Sequence, residues 1–222
     1  MKKGFWYSLF LSFLSTLGAL GHAQTVSTGR LNQSLKVTIW VNDYARVLPG
    51  TLAAAEEEAA MVFRNAGVQL IWVNCPPPGA QLESPCHVPP GTAHFALRIL
   101  SRPMAEYLSF RAEDLGFALP CPESERGCVA SVFYHRVEEL AKGGTFPADI
   151  LGRAIAHEIG HLLLGLNAHS PRGIMRAKWN PEDLRPVATP CLLFSLREAQ
   201  VIRAQVLARL EAETFPRAST SR

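Results

Sequence analysis

Long apolar runs are scarce in this chain, and so is any excess of charge. A membrane-crossing helix takes about 20 apolar residues, and nothing after residue 23 offers that. Charged residues make up 18% of the 222, with a formal net charge of +3. No basic stripe carries interleaved aromatics, so the composition argues against nucleic acid as a partner. Internal repeats and low-complexity tracts are missing too, which argues against a solenoid or a disordered chain. None of the five cysteines has Cys-x-x-Cys spacing, which argues against a cysteine zinc site.

What is there is globular. Hydrophobic residues reach 48%, enough for one domain with its own core. Residues 1–23 stand apart as a secretory signal peptide. Lys2 and Lys3 form a basic start, Phe5 to Leu20 an uncharged and mostly apolar run, and Gly21-His22-Ala23 a small-residue cleavage site. Cleavage near Ala23 takes two lysines with it and leaves a formal charge of +1. The expected location is secreted or periplasmic, with no membrane association after cleavage. Residues 24–34 read as a flexible N-terminal segment, 35–214 as the folded domain and 215–222 as a flexible tail.

Export makes disulfides available. Cys75 and Cys86 bracket one proline-rich loop, and Cys121 and Cys128 bracket another. Bridging each would contribute about 2.5–3 kcal/mol through the unfolded state. Cys191 is then left over, as a free thiol or as a member of a different pairing, since connectivity is not readable from sequence.

Strands are expected at Leu35 to Tyr44, Val68 to Val73, His94 to Leu100, Leu115 to Leu119 and Cys128 to Val137, from alternating or continuous apolar character. Helices are expected from Pro49 to about Asn65, from Ala148 to Leu164, and from the capping box Ser195-Leu196-Arg197-Glu198 to about Glu213. Asn74 to Gly91 reads as a loop and Pro171 to Pro190 as irregular. This order predicts a single α/β (α+β) domain with a mixed twisted sheet.

The chemistry concentrates in His157-Glu158-Ile159-Gly160-His161. Histidines four apart on a helix share a face, about 6 Å apart along the axis. Both imidazoles can therefore reach one metal ion. Glu158, about 100° around the helix, is placed for a water on that metal and not for the metal itself. Zinc suits nitrogen donors and catalyses when one position stays open. Three polar side chains in so apolar a helix, Ile155-Ala156 before and Leu162-Leu163-Leu164 after, are costly unless paired or metal-bound.

Further on come Gly165, His169-Ser170 and Gly173-Ile174-Met175. Over Ala156 to Met175 the sequence resembles the metzincin clan of zinc peptidases, which includes matrix metalloproteinases and archaemetzincins. The resemblance implies His157, His161 and His169 as zinc ligands, Glu158 as general base, and Met175 as the methionine of the turn below the metal. The spacing departs from the clan's pattern: Gly165 follows the second histidine by four residues instead of three, and His169 by eight instead of six. Asn167 occupies the clan's third-ligand spacing. Imidazole is nevertheless the stronger zinc donor, so His169 is the expected ligand. No tyrosine follows Met175 closely, and no cysteine latch is evident.

Other candidates have plainer readings. His87 is a loop histidine; His94 and His135 are structural or surface histidines on strands; Glu138-Glu139 is a solvated face. Trp179 and Phe194 are core or pocket wall. The functional expectation is a monomeric zinc peptidase with zinc as cofactor and a peptide or protein as substrate. The substrate would lie along a sheet edge, for which Val129 to His135 is the candidate, with Arg176 to Pro181 lining the pocket. Two alternatives stay open: a secreted zinc-binding protein without activity, and a zinc hydrolase of a non-peptide substrate.

Overall fold

A computed structural model describes residues 34–76, 86, 90–108, 110–111, 114–179, 183 and 192–214. The expected signal peptide, residues 24–33, the tail 215–222, His87 and Cys191 lie outside these residues.

Five strands and five helices follow one another. They are β1 (Lys36–Asp43), α1 (Pro49–Asn65), β2 (Gln69–Asn74), β3 (His94–Leu100), α2 (Arg102–Tyr107), β4 (Gly116–Leu119), β5 (Val129–Phe133), α3 (Tyr134–Ala141), α4 (Pro147–Leu164) and α5 (Leu196–Thr214). The strands form one sheet in the order β2-β1-β3-β5-β4. β1 pairs parallel with β2 and β3, and β3 parallel with β5, while β4 runs antiparallel at the edge. The fold is therefore α/β with a mixed sheet.

Alternation sets the faces. In β1 the odd positions Val37, Ile39 and Val41 are buried, and in β3 Phe95, Leu97 and Ile99 are. They join Ala130 and Val132 of β5 in one apolar cluster with residues of α1, α4 and α5. Helix α4 is the centre of that cluster, since every residue from Ile150 to Leu163 is buried. A helix apolar on all sides belongs inside a domain and not on its surface.

Two departures from the sequence expectation concern the sheet. The strand expected over Cys128 to Val137 ends at Phe133, and Tyr134–Ala141 turns into α3. Helical spacing explains this: Val137 is buried, Tyr134 and Ala141 pack on the core, and Glu138 and Glu139 face solvent. Helix α2, not expected, starts at Ser101 with Pro103 in its first turn, a position proline favours. β5 is an interior strand, so it cannot serve as the edge for a substrate. The edges of the sheet are β2 and β4.

Side-chain bonds fasten the helices. Arg153 of α4 pairs with Glu58 of α1 at 3.0 Å and donates to the Asp183 carbonyl at 3.1 Å. Arg209 of α5, 1% exposed, donates to the carbonyls of Cys121 at 2.8 Å and Thr92 at 3.2 Å. Both expected disulfides are present: Cys75–Cys86 and Cys121–Cys128 have Cα separations of 5.8 and 5.2 Å. Among the described residues no helix is long and apolar enough to cross a membrane.

Helices α1 and α4 touch backbone to side chain at Gly152. A Cβ there would lie 2.5 Å from the Ala55 carbonyl oxygen and 2.6 Å from Glu58 Cβ. Alanine is the better helix former by about 1 kcal/mol, but overpacking against backbone costs about 1–3 kcal/mol, so the clash decides the sign. Gly152→Ala is expected to lower the urea midpoint of unfolding. An unchanged or raised midpoint would show that the helices can separate freely.

Candidate metal centre

The site begins with the last turns of α4. Gly165 follows Leu164 with φ of +95°, a conformation that glycine adopts without penalty, and its N–H bonds to the His161 carbonyl at 2.9 Å. The chain then turns back, Ala168 N–H bonding to the Gly165 carbonyl at 3.3 Å. The Gly165–Ala168 turn accommodates the extra spacing, and His169 arrives over the helix it has just left.

The three imidazoles meet there. His161 Nε2 lies 3.0 Å from His157 Nε2 and 3.2 Å from His169 Nε2, and all three rings offer ligand atoms within 4.8 Å of one another. His157 and His161 are buried and His169 is exposed. Asn167 is exposed in the turn and does not border the cleft beside the histidines.

Hydrogen bonds on the far side of two rings define what faces inward. His157 Nδ1 is 2.8 Å from the Ile174 carbonyl, and His161 Nδ1 is 3.0 Å from the Gly165 carbonyl. A carbonyl only accepts, so each Nδ1 carries the proton. Burial lowers the His157 pKa to about 4 and lowers that of His161, the backbone bonds offsetting part of each shift. Both rings are therefore neutral near pH 7, and their Nε2 atoms are bare lone pairs pointing at each other. Two acceptors at 3.0 Å cannot bond to one another. A shared cation resolves the conflict, and carbonyl-anchored imidazoles are the usual arrangement of metal-binding histidines. Tetrahedral zinc with bonds of 2.0–2.1 Å would set neighbouring nitrogens about 3.3 Å apart, close to the observed spacing. The donor set thus fits a metal ion.

Glu158 is 6% exposed and faces the same cleft without joining the three histidines. Burial, with a smaller contribution from Asp114, raises its pKa to about 8. A dication on the imidazoles would oppose that shift, because it favours the carboxylate. Edge strand β4 passes directly over this carboxyl group. A Cβ on Gly116 would lie 2.8 Å from Glu158 Cγ and 2.3 Å from the Ser131 carbonyl, so only glycine fits.

Beneath the histidines runs the turn Gly173–Arg176. Met175 and Ile174 are fully buried. The Met175 sulfur sits under Gly160, 2.6 Å from where a Cβ would be, beside the Phe194 ring. The Ile174 carbonyl that holds His157 also accepts Trp179 Nε1 at 3.3 Å, and the Trp179 ring meets His157 edge to face at 5.7 Å. Arg176 pairs with Asp183 at 2.7 Å.

The cleft has a volume of about 1050 Å³. Leu115, Phe117 and Leu119 line it on the β4 side, and Arg176, Ala177, Lys178 and Trp179 on the other. His135, expected on a strand, lies on α3 and borders this cleft. Its pKa is lowered by burial and then by Arg102 and Arg136, and among the described residues its buried Nδ1 has no hydrogen-bond partner. His94 accepts the Gly91 N–H at 3.0 Å and packs on Trp40, a structural role. Phe194 packs on Phe63. The chain order gives no hint of Asp114 or Gly116 at the site, since strand pairing brings both there. No protein-family model matches this chain, and no curated protein matches it.

Two outcomes follow. His169→Ala is expected to weaken zinc binding by more than about 100-fold, and Asn167→Ala to leave it nearly unchanged; chelator competition measures both, and the reverse order would remove His169 from the site. The second concerns metal-free protein. A carboxyl whose folded pKa is raised contributes stability below its ordinary 4.5 that is lost as pH rises toward about 8. Glu158→Gln does not titrate. The variant's melting temperature relative to wild type should therefore climb between those values and level off above. A flat difference would mean that Glu158 ionises freely in the fold.

Proposed function

We propose that this chain is a zinc-dependent peptidase of the metzincin kind, exported to an oxidising compartment. The observation that carries the reading is a buried carboxyl group, Glu158, set beside three convergent imidazoles but outside their donor set, on the floor of an open cleft. A purely structural metal site has no need of such a group.

His157, His161 and His169 would hold the zinc ion, which when bound would supply Lewis acidity and make water at the site more acidic. Glu158 takes the proton from the attacking water and returns it to the leaving amine. Its burial suits a group that must hold a proton between two transfers. The carbonyls of Ile174 and Gly165 hold two imidazoles in one orientation and one tautomer, so that the donor set need not reorganise.

Substrate selection falls to β4. Its inner side pairs with β5, and its outer side is the end of the sheet. An extended peptide can add there as a further strand through backbone hydrogen bonds. Gly116 brings that strand over Glu158. Residues Arg176 to Trp179 form the opposing wall, so an extended chain would lie between the two. The two disulfides and the apolar N-terminal run support export. The motif from His157 to Met175, which resembles that of the metzincins, supports the same class of reaction.

With zinc bound, Glu158→Gln should lower kcat/KM on a mixed peptide library by a factor of about 10² to 10⁴ while zinc content stays at the wild-type level. Product analysis by mass spectrometry measures the first and elemental analysis the second. Cleavage at the wild-type rate would exclude Glu158 as the base, and loss of zinc would make it a ligand instead.

A further inference from the structure

Two of the three imidazoles are held from behind by a backbone carbonyl, but the third is not. Among the described residues, the His169 ring has one contact at hydrogen-bond distance, with His161 Nε2, and it stacks on the His157 ring at 5.5 Å. It is also exposed, and it sits on a loop outside any helix or strand. Something other than a bond to its ring must therefore fix its position.

The next residue supplies the anchor. Ser170 N–H bonds to the Met175 carbonyl at 2.8 Å, which ties the loop to the turn beneath the site. The Ser170 hydroxyl donates to Oε1 of Glu198, which is 8% exposed. Glu198 is the last residue of the capping box at the start of α5. Its Oε2 accepts the Ser195 N–H at 2.6 Å, and its own N–H donates to Ser195 Oγ at 3.3 Å. The carboxylate thus does two jobs with two oxygens: one closes the helix cap, and the other reaches 28 residues back to the neighbour of His169. The same segment is clamped a second time, by Ile174 N–H on the Leu193 carbonyl at 3.0 Å. An ordinary capping box needs only the two reciprocal bonds between Ser195 and Glu198, and not the one to Ser170.

We propose that Glu198 is a positioning residue for the third imidazole, fixing His169 through the Ser170 hydroxyl and so setting how tightly the centre holds its metal ion. The proposal rests on the three-histidine centre and not on peptidase activity. Helix α5 itself is held by the buried Arg209 at its other end, so Glu198 acts from a fixed support.

The two oxygens allow the two jobs to be separated. Ser170→Ala removes the link to the loop and keeps the cap. Ser195→Ala removes the cap hydroxyl and keeps the link. The probe is zinc alone, titrated into the full-length chain against a chromophoric chelator, with metal-free unfolding midpoints measured alongside. Ser170→Ala is expected to weaken zinc binding by about 10- to 100-fold, the range for a lost outer-shell partner. Its metal-free midpoint should fall less than that of Ser195→Ala. Ser195→Ala should lower the midpoint and leave zinc affinity within about threefold of wild type, and Ser170→Thr, which keeps the hydroxyl, should restore binding. Histidine ring NMR of the metal-free protein gives a second reading: His169 in one environment in wild type and averaged over several in Ser170→Ala. Wild-type zinc affinity in Ser170→Ala would overturn the proposal. So would parallel losses of affinity and stability in both serine variants, which would make Glu198 a helix cap and nothing more. A wild-type chain that binds no zinc would instead remove the centre itself, and the proposal with it.

Discussion

The neutral imidazoles of His157 and His161, which turn bare lone pairs on one another, cannot satisfy each other, and the rest of this site is organised around that conflict. The carbonyls of Ile174 and Gly165 create it, because they take up the Nδ1 protons of His157 and His161 and leave the Nε2 atoms as acceptors at 3.0 Å. Burial sharpens it by keeping the rings uncharged. In water such an arrangement would relax by rotating or protonating a ring. Here α4 is buried from Ile150 to Leu163, and the His157 and His161 rings are each held at Nδ1 by a backbone carbonyl. A metal ion that takes the facing nitrogens as donors would turn the repulsion into binding.

The fold's contribution is to hold that arrangement on a buried helix while leaving a cleft open beside it. Helix α4 lies against the sheet through Ile155, Ile159 and their neighbours, so His157 and His161 ride on the best-packed element of the domain. The turn Gly173–Arg176 is fixed from two directions, by Leu193 and by the pairing of Arg176 with Asp183. On the other side β4 ends the sheet and leaves an edge beside Glu158. Reactive groups on a rigid helix next to an unpaired edge suit a reaction on an extended chain.

Much of the centre was legible in the sequence because its geometry is local. Four residues of helix bring His157 and His161 together whatever the rest of the chain does, and a single turn bounded by Gly165 brings His169 back. Short loops made the two disulfides legible for the same reason. What the sequence hid depends on pairing across long separations. β5 ends at Phe133 because Val137 finds the core at helical spacing, although Tyr134 and His135 continue the alternation. The strand over the Glu158 carboxyl is β4, at an edge, while β5 is interior, a matter of sheet order that no local pattern encodes. The Ser170–Glu198 bond joins two segments 28 residues apart. The capping box itself could be read, but the second use of its carboxylate could not.

The central claim is that one metal ion sits on three imidazole nitrogens with a position left open. X-ray absorption at the zinc edge, on protein loaded with about one zinc per chain, tests it most directly. The account predicts three histidine nitrogens at about 2.0–2.1 Å and one further light ligand from solvent. A first shell containing sulfur, or one with two imidazoles and the Glu158 carboxylate, would contradict it.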